Sequence, residues 1–149
     1  MKMTFKNGLV AVALTLASSV VMAAEHVVEM KNSGADGTLV FEPGFVKAEP
    51  GDTVKFVLVD PAHNSVSVEV PEGAEGWQGA MNEGISVTLN EEGVYVYKCT
   101  PHAALNMAGV IQVGEATNYE SAKTAVDELT AAAATNKDRL VGYFDQVKK

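Results

Sequence analysis

The chain has 149 residues and a formal net charge of −8, with 11 Lys and Arg against 19 Asp and Glu. This length suits one domain with a sizeable core, and the acidic balance argues against a nucleic-acid-binding protein, which needs basic patches. A single cysteine excludes a disulfide within the chain.

Residues 1–24 have the pattern of an export signal. Lys2 and Lys6 precede an apolar run, and small residues then offer a cleavage site before Ala24 or Glu25. The apolar run is too short for a comfortable membrane span, so we expect a soluble periplasmic protein without a membrane anchor. Removal of the segment leaves 9 basic against 19 acidic residues, a formal charge of −10.

Residues 25–114 are predicted to form β-strands. Seven or eight short runs rich in Val, Ile, Phe, Tyr and Thr are separated by turn signals, and several alternate apolar with polar residues, as in Val94–Lys98. This pattern, without intervening helices, predicts an all-β antiparallel sandwich with Greek-key connections. Pro43 and Pro50 should lie at strand ends or edges, where a missing N–H does no harm.

Residues 115–149 change to a helical pattern. The segment is rich in Ala, Glu and Lys with apolar residues at helical spacing, and Thr117 or Asn118 could cap a first helix and Asn136 a second. About 30 residues could hardly bury a core of their own, so we expect both helices to pack on the sandwich as part of the same domain. The predicted apolar faces are Tyr119, Ala122, Val126 and Leu129, then Leu140, Val141, Phe144 and Val147.

The segment YKCTPHAALNM, residues 97–107, brings together three potential metal ligands: Cys99, His102 and Met107. Each alone is more often a core or turn residue, but the Cys-x2-His-x4-Met spacing after an aromatic-rich strand favours a metal site. On one loop the three can converge, and His63, just past a strand end, is the best candidate for a fourth ligand. His26, in the opening strand, is interpreted as an ordinary surface histidine.

The donor set favours copper over zinc. Structural zinc sites use four thiolate or imidazole ligands, and catalytic zinc keeps an open water position. Two imidazoles and a thiolate with a weak axial thioether form the type 1, or blue-copper, arrangement, which serves electron transfer. The sequence therefore predicts one copper ion that cycles between Cu(I) and Cu(II), and an exported thiol protected by coordination.

The residues after the signal resemble the pseudoazurins, a family of blue-copper cupredoxins, in "GTLVFEPGFVKAEPGDTVKFVLVDPAHN", "VPEGAEGW", "YKCTPHAALNM" and the two C-terminal helices. Plastocyanins share the ligand spacing but lack the helical extension. The resemblance implies a cupredoxin sandwich and a side chain of Asn64 that ties two ligand loops together, although Asn64 could equally make only a turn. It also implies the copper ligands His63, Cys99, His102 and Met107.

The resemblance further implies a periplasmic one-electron carrier, with copper nitrite reductase or another denitrification enzyme as a partner. Pseudoazurins typically carry lysines around the exposed ligand histidine, whereas here Lys98 is present and no lysine stands beside His63. We expect transient redox partners, a monomer, and electrons that pass through His102. The expected docking centre is the small or apolar rim of Pro101, Ala103, Ala104 and Leu105.

Two other functions remain open at this point. A copper carrier or storage protein usually exchanges metal through several exposed Met or Cys residues, and only Met30, Met81 and Met107 remain after signal removal. A detached domain of a copper oxidase or nitrite reductase would need histidines for an additional copper, which His26 alone cannot supply. An enzyme is not expected, because four protein ligands leave no room for a substrate and no general base stands beside the site.

Overall fold

The computed structural model describes residues 21–149, and the predicted export signal lies outside these residues except for its last four positions. Eight strands are present: β1 (Glu25–Gly34), β2 (Gly37–Glu42), β3 (Phe45–Ala48), β4 (Asp52–Leu58), β5 (Val66–Glu69), β6 (Ile85–Leu89), β7 (Gly93–Lys98) and β8 (Ala108–Val113). A 3-10 helix, Thr100–Leu105, joins β7 to β8. Two helices follow, α1 (Tyr119–Ala132) and α2 (Lys137–Phe144).

The strands form two four-stranded sheets, ordered β2-β1-β4-β6 and β3-β8-β7-β5. The sandwich is therefore confirmed, but the expectation that it is antiparallel throughout is wrong, because β1 pairs with β4 and β3 with β8 in parallel. These partners are not consecutive in the chain, so no hairpin turn forces them to run in opposite directions. Pro43 follows β2 and Pro50 lies between β3 and β4, at strand ends as expected.

Strand β7 shows why the helices pack on the sandwich. Its inward residues Tyr95 and Tyr97 pack with the buried aromatic side chains between the sheets, while Val94 and Val96 point to the opposite face and are also fully buried. A strand that is apolar on both faces needs cover on both. The second core that provides this cover contains Ala122, Val126, Leu140, Tyr143 and Phe144 from the two helices.

The predicted helical faces need one correction. Val141 is 36% exposed, whereas Tyr143, which the helical spacing did not select, is 7% exposed and donates a hydrogen bond from its hydroxyl to Asp36 Oδ2 over 2.8 Å. The phenol ring reaches back over Gly44, where a Cβ would lie about 2.1 Å from the ring. The buried face of α2 thus includes Tyr143 and leaves Val141 at its exposed edge.

The predicted helix caps are also wrong in their bonding. Neither Asn118 nor Asn136 caps its own helix with its side chain, although each immediately precedes the first helical residue. Asn118 instead accepts from the Val94 backbone N–H (2.7 Å) and donates to the Val94 carbonyl (2.9 Å), as a neighbouring strand would. Thr117 donates to the Glu92 carbonyl. These side chains attach the helices to the sandwich.

Among the helices of residues 21–149, none has both the length and the apolarity that a membrane crossing requires.

Candidate metal centre

The connection between β7 and β8 brings its three potential ligands to one end of the sandwich. Cys99 directly follows β7, His102 lies in the 3-10 helix, and Met107 directly precedes β8. The Cys99 backbone N–H donates to the Met107 carbonyl over 2.9 Å, which closes the loop, and the Met107 N–H donates to the His102 carbonyl over 3.2 Å. Asn106 turns the chain back with a left-handed backbone, φ 58°, a conformation that asparagine tolerates better than most residues.

His63 reaches the same point from the connection between β4 and β5. Its Nδ1 lies 3.7 Å from Cys99 Sγ, and His102 Nδ1 lies 3.5 Å from the same sulfur. One ligand atom from each of the three residues lies within 4.8 Å of the others. The fold thus brings together His63 and Cys99, which are 36 positions apart in the sequence.

Burial differs among the four candidate ligands. His63, Cys99 and Met107 are fully buried, and Met107 belongs to the same core cluster as Cys99, whereas His102 is partly exposed. Burial lowers the pKa of His63, and the nearby His102 lowers it further; burial also raises the pKa of the Cys99 thiol. The neutral imidazole is ready to bind a metal, and the thiol must give up its proton when the metal enters.

These atoms fit a metal ion with thiolate and imidazole ligands. With metal–sulfur and metal–nitrogen bonds of about 2.3 Å and 2.0 Å, sulfur and nitrogen lie about 3.5 Å apart at a tetrahedral angle and about 3.7 Å apart at a trigonal angle. The observed separations of 3.5 and 3.7 Å span this interval. One metal ion bound by Cys99 Sγ and the two Nδ1 atoms therefore fits the cluster of His63, Cys99 and His102.

Asn32 is a functional candidate that the sequence did not reveal. Its Oδ1 accepts a hydrogen bond from His63 Nε2 over 2.9 Å, so Nε2 carries the proton and Nδ1 presents its lone pair towards Cys99. Asn32 is itself held through its backbone N–H by Asp60 Oδ2. Such a partner fixes the tautomer and the ring orientation of a ligand histidine. Because Asn32 lies near the end of β1 without any metal-ligand motif around it, no sequence pattern distinguishes it.

Asn64 joins the two segments that carry His63 and Cys99. Its side-chain Oδ1 accepts from the Thr100 backbone N–H over 2.8 Å, and its Nδ2 donates to Thr100 Oγ1 (3.1 Å) and to the Gly79 carbonyl (3.2 Å). Asn64 is only 6% exposed. All its hydrogen-bonding groups therefore serve the junction of three loops, which is more than a turn residue needs.

The rim around His102 is partly accessible. Pro101 and Ala104 are exposed, whereas Ala103 and Leu105 are half-buried. The sequence neighbours of His102 in the 3-10 helix that are accessible are thus small or apolar.

His26 does not join this group, and its interpretation as an ordinary surface histidine is wrong. Its Nε2 lies 2.8 Å from Asp52 Oδ2, and the Asp52 side chain is only 7% exposed. The same carboxylate accepts from the backbone N–H groups of Ala24 (2.8 Å) and Glu49 (3.0 Å). The pair therefore fastens the start of β1 to the start of β4.

Comparisons with known proteins agree with this geometry. Residues 28–114 match the model of the family described as copper binding proteins, plastocyanin/azurin family. The chain is similar to a pseudoazurin of Paracoccus pantotrophus, 45% identical over 118 residues, covering 77% of this chain and 81% of the relative. It is also similar to a putative pseudoazurin of Rhizobium leguminosarum bv. viciae, 44% identical over 128 residues, covering 83% and 84%.

A solved structure shows the same fold. The crystal structure of native pseudoazurin from Hyphomicrobium denitrificans matches with a TM-score of 0.73 and 41% identity, over 84% of this chain and 99% of that one. The match includes most of the chain beyond the export signal. With a copper-binding family and a thiolate–imidazole cluster that fits the ion, the cofactor is a single copper ion. The chain belongs to the pseudoazurins, within the plastocyanin/azurin family of copper-binding proteins.

Proposed function

We propose that this protein is a periplasmic type 1 copper carrier of single electrons, with His63, Cys99, His102 and Met107 as the copper ligands. The observation that carries the proposal is the convergence of the buried Cys99 Sγ with the Nδ1 atoms of both histidines, at 3.5 and 3.7 Å. A thiolate and two imidazoles already held in an intermediate geometry need little rearrangement when copper gains or loses an electron. A small rearrangement makes electron transfer fast.

The burial pattern favours an electron carrier over a copper carrier or storage protein. Cys99, His63, Met107 and Met30 are fully buried, and Met81, 44% exposed, is the accessible methionine of residues 24–149. A protein that passes copper between partners needs ligands that a partner can reach, whereas an electron can cross a closed ligand shell. The protein is therefore proposed to retain its copper and to have no catalytic activity of its own.

Electrons are proposed to pass through His102, the partly exposed member of the cluster. The small and apolar rim of Pro101, Ala103, Ala104 and Leu105 allows a partner to approach without desolvating charges. The partners are transient redox proteins, and the carrier works as a monomer. Its formal charge of −10 after export favours partners with a basic docking face, because opposite charges steer association.

The ligand assignment is tested with Cys99→Ser. The variant, reconstituted with copper, should lose the intense thiolate-to-copper absorption and remain folded, because serine is close in size to cysteine and most of the first core and all of the second consist of apolar side chains other than the proposed ligands. Circular dichroism and thermal unfolding of the apoprotein check the fold. A variant that stays blue would contradict the assignment of Cys99.

The docking surface is tested with Ala103→Asp, which should slow electron transfer to the partner and leave the visible spectrum nearly unchanged. The matched control is Thr124→Asp, which adds the same charge on the exposed face of α1, eight residues and about 12 Å from Ala132, the end of the helix nearest the ligand loop. Copper nitrite reductase, the partner that the resemblance implies, serves as the acceptor, with cytochromes of basic surface beside it. Equal rates in the two variants would contradict docking at this rim.

A further inference from the structure

The turn between α1 and α2 is hydrogen-bonded directly to the loop that carries the copper ligands. The Ala134 backbone N–H donates to the Ala104 carbonyl over 2.7 Å. Asn106 Nδ2 donates to the Asn136 carbonyl over 2.8 Å, and Asn136 Nδ2 donates in return to the Leu105 carbonyl over 3.0 Å. Asn136 thus accepts one bond from Asn106 and donates another to the neighbouring Leu105, which joins segments about 30 residues apart in the sequence.

These three bonds act on consecutive loop residues, 104–106, which lie between His102 and Met107. Four backbone hydrogen bonds lie within the loop itself: Cys99 N–H to Met107 (2.9 Å), His102 N–H to Cys99 (3.2 Å), Asn106 N–H to Ala103 (2.9 Å) and Met107 N–H to His102 (3.2 Å). A 3-10 turn has poorer hydrogen-bond geometry than an α-helix. The three bonds from the turn therefore add to four within the loop, and they are the ones that hold residues 104–106 from outside it.

The turn is a firm support for this loop. Asn136 has a left-handed backbone (φ 56°), so its side chain is directed across to the loop rather than onto its own helix. Lys137 Nζ binds the carbonyls of Thr130 and Ala131 at the end of α1. Behind the turn, Arg139 donates to the carbonyls of Leu39 and Thr38, both at 2.9 Å. The turn is thus tied to both helices and to the sandwich.

We propose that the C-terminal helix pair positions the copper-ligand loop, and that Asn136 is the positioning residue through which it acts. This inference rests on the proposed ligand set. The hydrogen bonds of Asn136 go to Leu105 and Asn106 and not to a proposed ligand side chain. Leu105 and Asn106 determine the backbone path between His102 and Met107, and therefore the positions of both residues. Loss of the hydrogen bonds between Asn136 and the loop would therefore let His102 and Met107 occupy a wider range of positions. The C-terminal helices are therefore part of the metal site as well as cover for the sheet.

The test uses Asn136→Gly, because glycine accepts the left-handed backbone and keeps the carbonyl that Asn106 binds. The substitution removes the bond to Leu105. The matched control is Asn118→Gly, which removes the two side-chain bonds to Val94 at the other end of β7, five residues and about 17 Å from Cys99. Both variants weaken the attachment of the helix pair to the sandwich, but only Asn136→Gly removes a hydrogen bond to the ligand loop.

In the apoprotein, Asn136→Gly should speed hydrogen exchange at the amides of Ala134 and Met107 about fivefold, the change expected for one net hydrogen bond. In the copper-loaded protein it should change the intensity ratio of the thiolate-to-copper bands and speed copper loss to a chelator about fivefold. Asn118→Gly should lower the melting temperature at least as much and leave exchange at these amides, the spectrum and copper loss unchanged.

An Asn136→Gly variant with the exchange, spectrum and copper loss of the parent would overturn the inference. So would equal spectral changes in both variants, because Asn136 would then act only through global stability. A parent protein without thiolate-to-copper absorption would overturn the proposed function, and with it the copper part of this inference. A blue parent with an unaltered Asn136→Gly variant would overturn the inference alone.

Discussion

The junction made by Asn64 supports a prediction with a definite magnitude. Asn64→Ala removes three hydrogen bonds, two to Thr100 and one to the Gly79 carbonyl, at a position that is 6% exposed. Each such bond contributes about 1 kcal/mol net, so the apoprotein should lose about 3 kcal/mol of unfolding free energy. Thr100→Val is the graded companion, because it removes the bond to Oγ1 and keeps the backbone N–H that Asn64 accepts. Thr100 is exposed, so its cost should be at most about 1 kcal/mol.

Urea denaturation of the metal-free variants measures both values, provided that the slope m equals that of the parent. Copper must be absent, because binding to the folded state would add stability that hides the loss. An Asn64→Ala cost below about 1 kcal/mol would mean that water or a rearranged loop replaces the bonds. A Thr100→Val cost equal to that of Asn64→Ala would place the stabilising interaction at the hydroxyl and refute the reasoning from three bonds.

Three further substitutions test two of the proposed ligands and the buried carboxylate of Asp52. His63→Gly should open a coordination position that added imidazole fills, which restores the parent's visible spectrum; a spectrum that His63→Gly leaves unchanged would remove His63 from the ligand set. Met107→Gln should lower the reduction potential, because an oxygen donor favours Cu(II) more than a thioether does. The decrease should be about 59 mV for each tenfold gain in affinity for Cu(II) relative to Cu(I). Voltammetry that finds the potential of the parent would exclude Met107 as an axial ligand. Hydrogen bonds from the Glu49 backbone N–H, which has the largest effect, and from His26 lower the pKa of Asp52 from 3.8 to about 2. The ionised carboxylate therefore adds about 2 kcal/mol to the free energy of unfolding above pH 4, and this contribution is lost as the pH falls through 2. The stabilities of Asp52→Asn and the parent, measured by denaturation, should therefore differ at pH 7 and converge near pH 2, and a constant difference would contradict this origin.

Much of the molecule follows from local patterns in the chain. Alternating and fully apolar runs predict the strands, because side chains alternate between the two faces of a sheet. Strand β7 is apolar on both faces, and the helical periodicity after residue 115 supplies the cover for its outer face. The Cys-x2-His-x4-Met spacing identifies the loop that bears three of the candidate ligands, since all three lie within one short connection.

Only the tertiary structure decided which distant segments meet. Local patterns carry no information on whether nonconsecutive strands pair in parallel, as β1 and β4 do. Nor do they show that Asn32 orients His63, that His26 binds the buried Asp52, or that Asn118 and Asn136 bind the sandwich and the ligand loop instead of their own helices. A polar side chain can satisfy its hydrogen bonds with any partner that the fold brings within about 3 Å. The sequence determines which residues must be buried or capable of binding copper, and packing of the two sheets and the helix pair selects their partners.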